Sequence, residues 1–166
     1  MDRAMPHSTN HFPNDPDRSA IWTMLVPRDI KAYVQADWSL VAEDFLTGDF
    51  MGIDGKRSDN PDNWKISFPT LAQYRDEWLR QAQEGQKTEY AEDVEAGIHR
   101  ATTLTEIEIT GDRAVAHKKF DGKIALANGG FDTLNWQTVY LLRKTASGWK
   151  LTGFIGYLPY PMGAKS

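Results

Sequence analysis

Cysteine is absent from the chain. That excludes disulfides, thiol nucleophiles and thiolate metal sites, and it suits a reducing compartment such as the cytoplasm. No stretch of about 18 apolar residues occurs, so no segment reads as a membrane span. The first residues also lack the apolar core of a signal peptide, which makes a cytoplasmic protein the expectation. Basic residues never form a block: 19 Lys and Arg are interspersed with 23 Asp and Glu, for a net charge of −4. The electrostatic footprint of a nucleic-acid binder is therefore missing. No G-x-S-x-G elbow, phosphate loop or dinucleotide fingerprint appears. His residues show no ligand spacing, and neither a metal nor another cofactor is expected.

What the chain has is aromatic bulk. Six Trp, six Tyr and seven Phe stand among 166 residues, of which 40% are hydrophobic and 25% charged. That balance fits one globular domain with a sizeable core. Residues 1–17, with Pro6, Pro13, Pro16, His7 and His11, read as a flexible leader. Residues 18–160 read as the domain and 161–166 as a tail.

Ile21, Met24 and Leu25 begin a helical pattern that Ile30, Tyr33 and Val34 resume, with Pro27 expected to kink or split it. Asp37 can cap a second helix whose stripe is Trp38, Val41, Ala42 and Phe45. A short strand at 50–53 and a polar loop at 54–65 follow. A third helix is expected from Pro69 or Thr70 to Glu84, with stripe Leu71, Tyr74, Trp78 and Ala82, ended by Gly85. From Ala96 the texture becomes that of strands, at 98–110, 113–120, 133–144 and 149–158. Gly111-Asp112, Asn128-Gly129-Gly130 and Ser147-Gly148 supply the turns, and Asp121-Gly122 a bend. Helices first and meandering strands afterwards predict an α+β fold.

Three segments carry a resemblance: Gly111-Asp112-Arg113-Ala114-Val115-Ala116, Trp136-Gln137-Thr138-Val139-Tyr140-Leu141-Leu142-Arg143, and Gly148-Trp149-Lys150-Leu151. They resemble the nuclear transport factor 2-like superfamily, also called SnoaL-like or cystatin-like, as does the Asp37-Trp38 junction. The resemblance spans residues 19–160. The stretch from Gly52 through Trp64, Phe68-Pro69 and Tyr74 to Leu79 is similar to a narrower SnoaL-like subgroup. It implies a strongly curved antiparallel β-sheet wrapped by about three helices from the N-terminal half, forming a cone-shaped pocket. That fold hosts isomerases, dehydratases, epoxide hydrolases, cyclases and non-catalytic binders, so it does not by itself assign an activity.

Three residues are the candidates for proton handling. Asp54 matches the general-base position of ketosteroid-isomerase-like members, although Gly55 replaces the Pro that follows there. That family's oxyanion Tyr has only Tyr33 nearby, and Val115 and His117 stand where its protonated Asp would be. The alternative is that Asp54-Gly55 is simply a turn. His99 and His117, read as strand residues, could both point inward as an acid–base pair like that of dehydratase-like members. Alternatively each bonds a neighbouring strand or faces water. Tyr33, Trp78, Trp136, Tyr140 and Tyr157 are candidate pocket-lining residues, or else packed core. Apolar residues on both faces of 136–142 point to a homodimer joined through the sheet. The leading expectation is a cofactor-free acid–base enzyme, of isomerase, dehydratase or cyclase type, for a small, largely apolar metabolite. A non-catalytic ligand-binding or protein-interaction domain is the alternative.

Overall fold

A computed structural model describes residues 8–163. It opens with α1 (Pro16–Thr23), a π-helical turn (Met24–Arg28) and α2 (Asp29–Gln35). Asp15 caps α1 by accepting the Arg18 backbone N–H, and Pro16 occupies the first turn, where its missing donor costs nothing. Pro27 does not break the helix. The π turn absorbs it, and the inserted residue rotates the following face by roughly 100°. Ala36, left-handed at φ 52°, ends α2.

The expected second helix is instead two short 3-10 turns, Trp38–Leu40 and Ala42–Asp44. Asp37 still caps the first of them. After β1 (Met51–Asp54) the loop contains a further strand, β2 (Lys65–Phe68). Thr70 caps α3 (Leu71–Lys87), which buries Leu71, Trp78 and Ala82 on one stripe. The helix runs on through Gly85, the residue expected to end it. A fourth helix, α4 (Val94–Ala101), lies in place of the expected start of a strand, capped by Asp93. Strands β3 (Thr102–Thr110), β4 (Arg113–Ala125), β5 (Phe131–Thr145) and β6 (Gly148–Leu158) complete the chain.

The six strands form one curved sheet in the order β2-β1-β6-β5-β4-β3. It is mixed rather than wholly antiparallel, because β1 runs parallel to β6. A parallel pair needs a crossover connection, and here the whole intervening chain provides it. Register shifts in β1, β3 and β5 bend the sheet, as bulges do. The chain is thus α+β, with α2, α3 and α4 over one face of the sheet. Gly97 and Gly122 let α4 approach β4 closely: a Cβ on Gly97 would lie 2.9 Å from Ile124, and one on Gly122 2.9 Å from Ala101. Gly122 therefore marks a helix contact inside a continuous strand, not the end of one.

Residues 1–7, His7 among them, and 164–166 lie outside the described residues. Residues 8–17 are not free, contrary to the expectation of a leader. Ser8 is buried and its hydroxyl bonds His99 Nδ1 at 2.7 Å. Phe12 packs against the core. Asp17 accepts from Lys144 Nζ and Trp149 Nε1. No helix among the described residues is long and apolar enough to cross a membrane.

Candidate functional site

Alternation along the central strands decides what faces the helices. On β4 the inward series is Ala114, Ala116, Lys118 and Phe120, and β5 opposes it in register with Leu142, Tyr140, Thr138 and Trp136. At the Ala114 end this face is closed by α1 and the π turn. At the other end α2, α3 and α4 stand off from the sheet, and a cavity of about 930 Å³ opens between them. Tyr33 from α2, Trp78 from α3, Trp136 and Tyr140 from β5 and Tyr157 from β6 all line it.

A charged pair stands on its floor. Lys118 Nζ donates to Asp29 Oδ2 at 2.9 Å, and the two side chains are 1% and 29% exposed. Lys118 thus lies behind Asp29, with its ammonium also 5.1 Å from the centre of the Phe120 ring. Asp29 owes its place to the π turn, since it is the first residue after it, and Tyr33 follows one helical turn later on the same face. Opposite Lys118 in register is Thr138, which lines the cavity together with Tyr140. These four residues make a compact polar floor under aromatic walls.

The phenols around it stay protonated at neutral pH. Burial pushes Tyr33 up to about 12, with Tyr157 and Asp132 adding to the shift. Burial likewise holds Tyr74 and Tyr140 well above the ordinary value, and raises Tyr157. Such groups can donate a hydrogen bond to developing charge but cannot serve as bases. Tyr157 donates to Gln81 Oε1 at 3.2 Å, tying β6 to α3. At another point of the cavity Tyr90 donates to Asp132 Oδ2 at 2.8 Å. Burial, then that bond, raise the Tyr90 phenol.

The three proton-handling candidates are not brought together. Asp54 borders the cavity at the end of β1, where its Oδ1 accepts the Lys56 backbone N–H at 2.7 Å. It therefore closes an Asx-type turn and faces the cavity at once. His99 lies on α4, not on a strand, and bonds Ser8; burial, the largest influence, lowers its basicity. His117 takes the outward position between Ala116 and Lys118, 3.6 Å from Glu106. The expectation that both imidazoles point into the cavity is corrected accordingly: neither is among its lining residues. Among the described residues no three His, Cys, Asp or Glu side chains cluster to hold a metal ion.

Sequence pattern alone does not single out Asp29 and Lys118. The available signals are a lysine in an otherwise inward-facing alternation, and an aspartate two residues after a helix-interrupting proline.

No protein-family model matches the sequence, and no curated protein matches it either. Solved structures do. An NTF2-like protein of unknown function from Pseudomonas putida superposes with a TM-score of 0.55 at 15% identity, over 87% of each chain. A conserved protein from Planctomyces limnophilus gives 0.54 at 18%, over 88% of this chain and 98% of the other. An NTF2-like superfamily protein from Salmonella enterica gives 0.50 at 16%, over 84% and 89%. The chain accordingly has the NTF2-like fold. At these identities the likeness establishes fold alone.

Proposed function

We propose that this protein is a cytoplasmic pocket enzyme performing cofactor-free acid–base chemistry on a small, largely apolar carbonyl compound. The observation that carries the reading is the Asp29–Lys118 pair on the floor of an aromatic cavity. The ammonium at 2.9 Å pairs with the carboxylate and orients it toward the cavity. Lys118 engages Oδ2, which leaves Oδ1 to accept a proton from a ligand's carbon. The neutral phenols of Tyr33, Tyr140 and Tyr157 can donate to the oxyanion that develops as that proton leaves. Asp54 serves as a second carboxylate at the rim, and the two histidines have no part in this scheme.

Exchange of carbon-bound hydrogen in deuterated water tests the proposal without knowledge of the natural substrate. The protein should accelerate exchange beside the carbonyl of benzylacetone above the buffer rate. Asp29→Asn should return the rate to that of buffer while the near-ultraviolet circular dichroism is unchanged. A wild-type protein that binds aryl ketones, by quenching of Trp fluorescence, yet exchanges none of them would be the non-catalytic binder instead.

We also propose a homodimer joined through the outer sheet face. Supporting it, Met51, Ile66 and Leu141 project from that face and are 44%, 58% and 42% exposed. Water contact with that much clustered apolar surface is unfavourable. Light scattering at micromolar concentration should return twice the chain mass, and Leu141→Glu should lower it. A monomeric wild type would sink the idea.

A further inference from the structure

Holding Asp29 uses only part of what Lys118 can do, and its surroundings suit a larger role. An ammonium carries three donors, and one here goes to Asp29 while the Phe120 ring face lies nearby. A lysine 1% exposed on the floor of a ligand-sized cavity has little water to satisfy the rest. A purely structural ion pair gains little from such burial, because desolvation offsets most of the attraction. Desolvation of a lysine in an apolar pocket is, by contrast, one way a nucleophilic amine is prepared.

We propose that Lys118 is a Schiff-base lysine for a carbonyl ligand, a reading that rests on Asp29 as the proton-handling group and deepens it. The ammonium passes one proton to Asp29 across their hydrogen bond, and the freed nitrogen lone pair attacks the carbonyl carbon. A C–N bond forms, the C=O π pair moves onto oxygen, and transfer of a proton from nitrogen to that oxygen gives the neutral carbinolamine. Protonated Asp29 then gives its proton to the hydroxyl, which leaves as water while the nitrogen lone pair closes the C=N bond. The net change is ammonium plus ketone to protonated iminium plus water, with Asp29 restored as the carboxylate beside it. That carboxylate can next take the hydrogen on the carbon beside the iminium, whose electron pair flows to nitrogen and yields the enamine. Thr138, opposite Lys118 in register, and Tyr140 add hydroxyls to the same cavity.

Reductive trapping decides it. The full-length protein is incubated with benzylacetone or with naphthaldehyde in the presence of cyanoborohydride, then digested and mapped by mass spectrometry. Lys118 should gain the mass of the carbonyl compound less one oxygen atom, about tenfold faster than exposed lysines such as Lys31 and Lys65. Asp29→Asn should slow that labelling by about a hundredfold, since the group that protonates the departing hydroxyl is gone. Labels spread over surface lysines, with Lys118 unmodified by both probes, would overturn the proposal. The wild-type map alone separates these outcomes, so the test does not depend on any variant folding. Hydrogen exchange without labelling of Lys118 would overturn the Schiff base and leave Asp29 as a simple base. Labelling of Lys118 without Asp29-dependent exchange would retain the Schiff base and remove the base role.

Discussion

The same three strands build a filled half and a hollow half of this molecule. At one end β4 contributes Ala114 and Ala116, β5 Leu142 and β6 Trp149 and Leu151, all buried against Ile21, Met24 and Leu25. The two alanines leave room for α1 and the π turn to approach the sheet. A few residues further along, β4 offers Lys118 and Phe120, β5 Trp136 and Tyr140, and β6 Tyr157. Large rings stand in both layers there: Tyr33 of α2 meets Trp78 of α3 edge-on with centroids 5.6 Å apart, and Tyr74 of α3 meets Phe154 of β6 at 4.8 Å. Bulky rings at these positions, where alanines stand at the other end, keep the helices farther from the sheet, and space remains. Side-chain size along a strand thus decides where a curved sheet is core and where it is vessel.

The firmest attack on this contrast falls on the filled half. Trp149 is 5% exposed, and its Nε1 donates to Asp17 Oδ1 at 2.9 Å. Trp149→Ala should cost about 3–5 kcal/mol, the range for losing a large buried ring. A urea midpoint within error of wild type would show that this half is not the structural one.

Next in size is the hollow half's charged floor, where the two partners should respond unequally. Asp29→Asn strands an ammonium that is 1% exposed, whereas Lys118→Met strands a carboxylate that is 29% exposed. The first should cost about 3 kcal/mol, at the low end for breaking a buried pair because the amide oxygen still accepts. The second should cost about 1–2 kcal/mol, since Asp29 can hydrate from the cavity. Equal losses in chemical denaturation would mean that both partners are equally shut from water.

Much of the architecture is legible in the sequence because it rests on local chemistry. Gly111-Asp112 and Ser147-Gly148 mark their hairpins, and the alternation on either side of them coincides with the observed strands. The mixed sheet is not legible, since no local signal distinguishes a strand that will lie parallel to another far along the chain. Helix α4 is obscured because its cap Asp93 and stripe Val94, Ile98 and Ala101 run straight into Thr102 and Thr103, which favour strands. Tyr33, Trp78, Trp136, Tyr140 and Tyr157 border the cavity from inward positions of their helices and strands. The charged floor is hidden for a different reason. Lysine is almost always at the surface, so an inward series argues weakly for burying Lys118, and Asp29 needs the π turn to reach it.

Acidification separates the halves again, with a smaller effect. Hydrogen bonds from Lys144 and then from Trp149 hold Asp17 below its ordinary value of 3.8. A carboxyl whose folded value is lowered adds stability above its unfolded value and loses it as pH falls through the folded one. Wild type should therefore weaken progressively below about pH 4, and Asp17→Asn should flatten that limb. Denaturant midpoints measured from pH 7 down to pH 3 would show it. Parallel curves for the two proteins would mean that Asp17 gains nothing from its partners.

The smallest expected effect tests what holds the hollow half open. Two answers are available: the rings themselves, or the hydrogen bond from Tyr157 to Gln81 that straps β6 to α3. Tyr157→Phe keeps the ring, and with it the tilted contact to Trp136 at 5.8 Å between centroids. It removes only a 3.2 Å bond between neutral groups. Such a bond contributes about 0.5–1.5 kcal/mol net, and Gln81 can turn its amide to water at the cavity once the phenol is gone. The change should therefore lie at or below about 1 kcal/mol. If rings are the struts, benzylacetone exchange should also keep its rate within about twofold, because two other phenols remain to donate. A loss matching that of Trp149→Ala would give the strap the larger part, and the cavity would then depend on one polar contact rather than on the size of the residues around it.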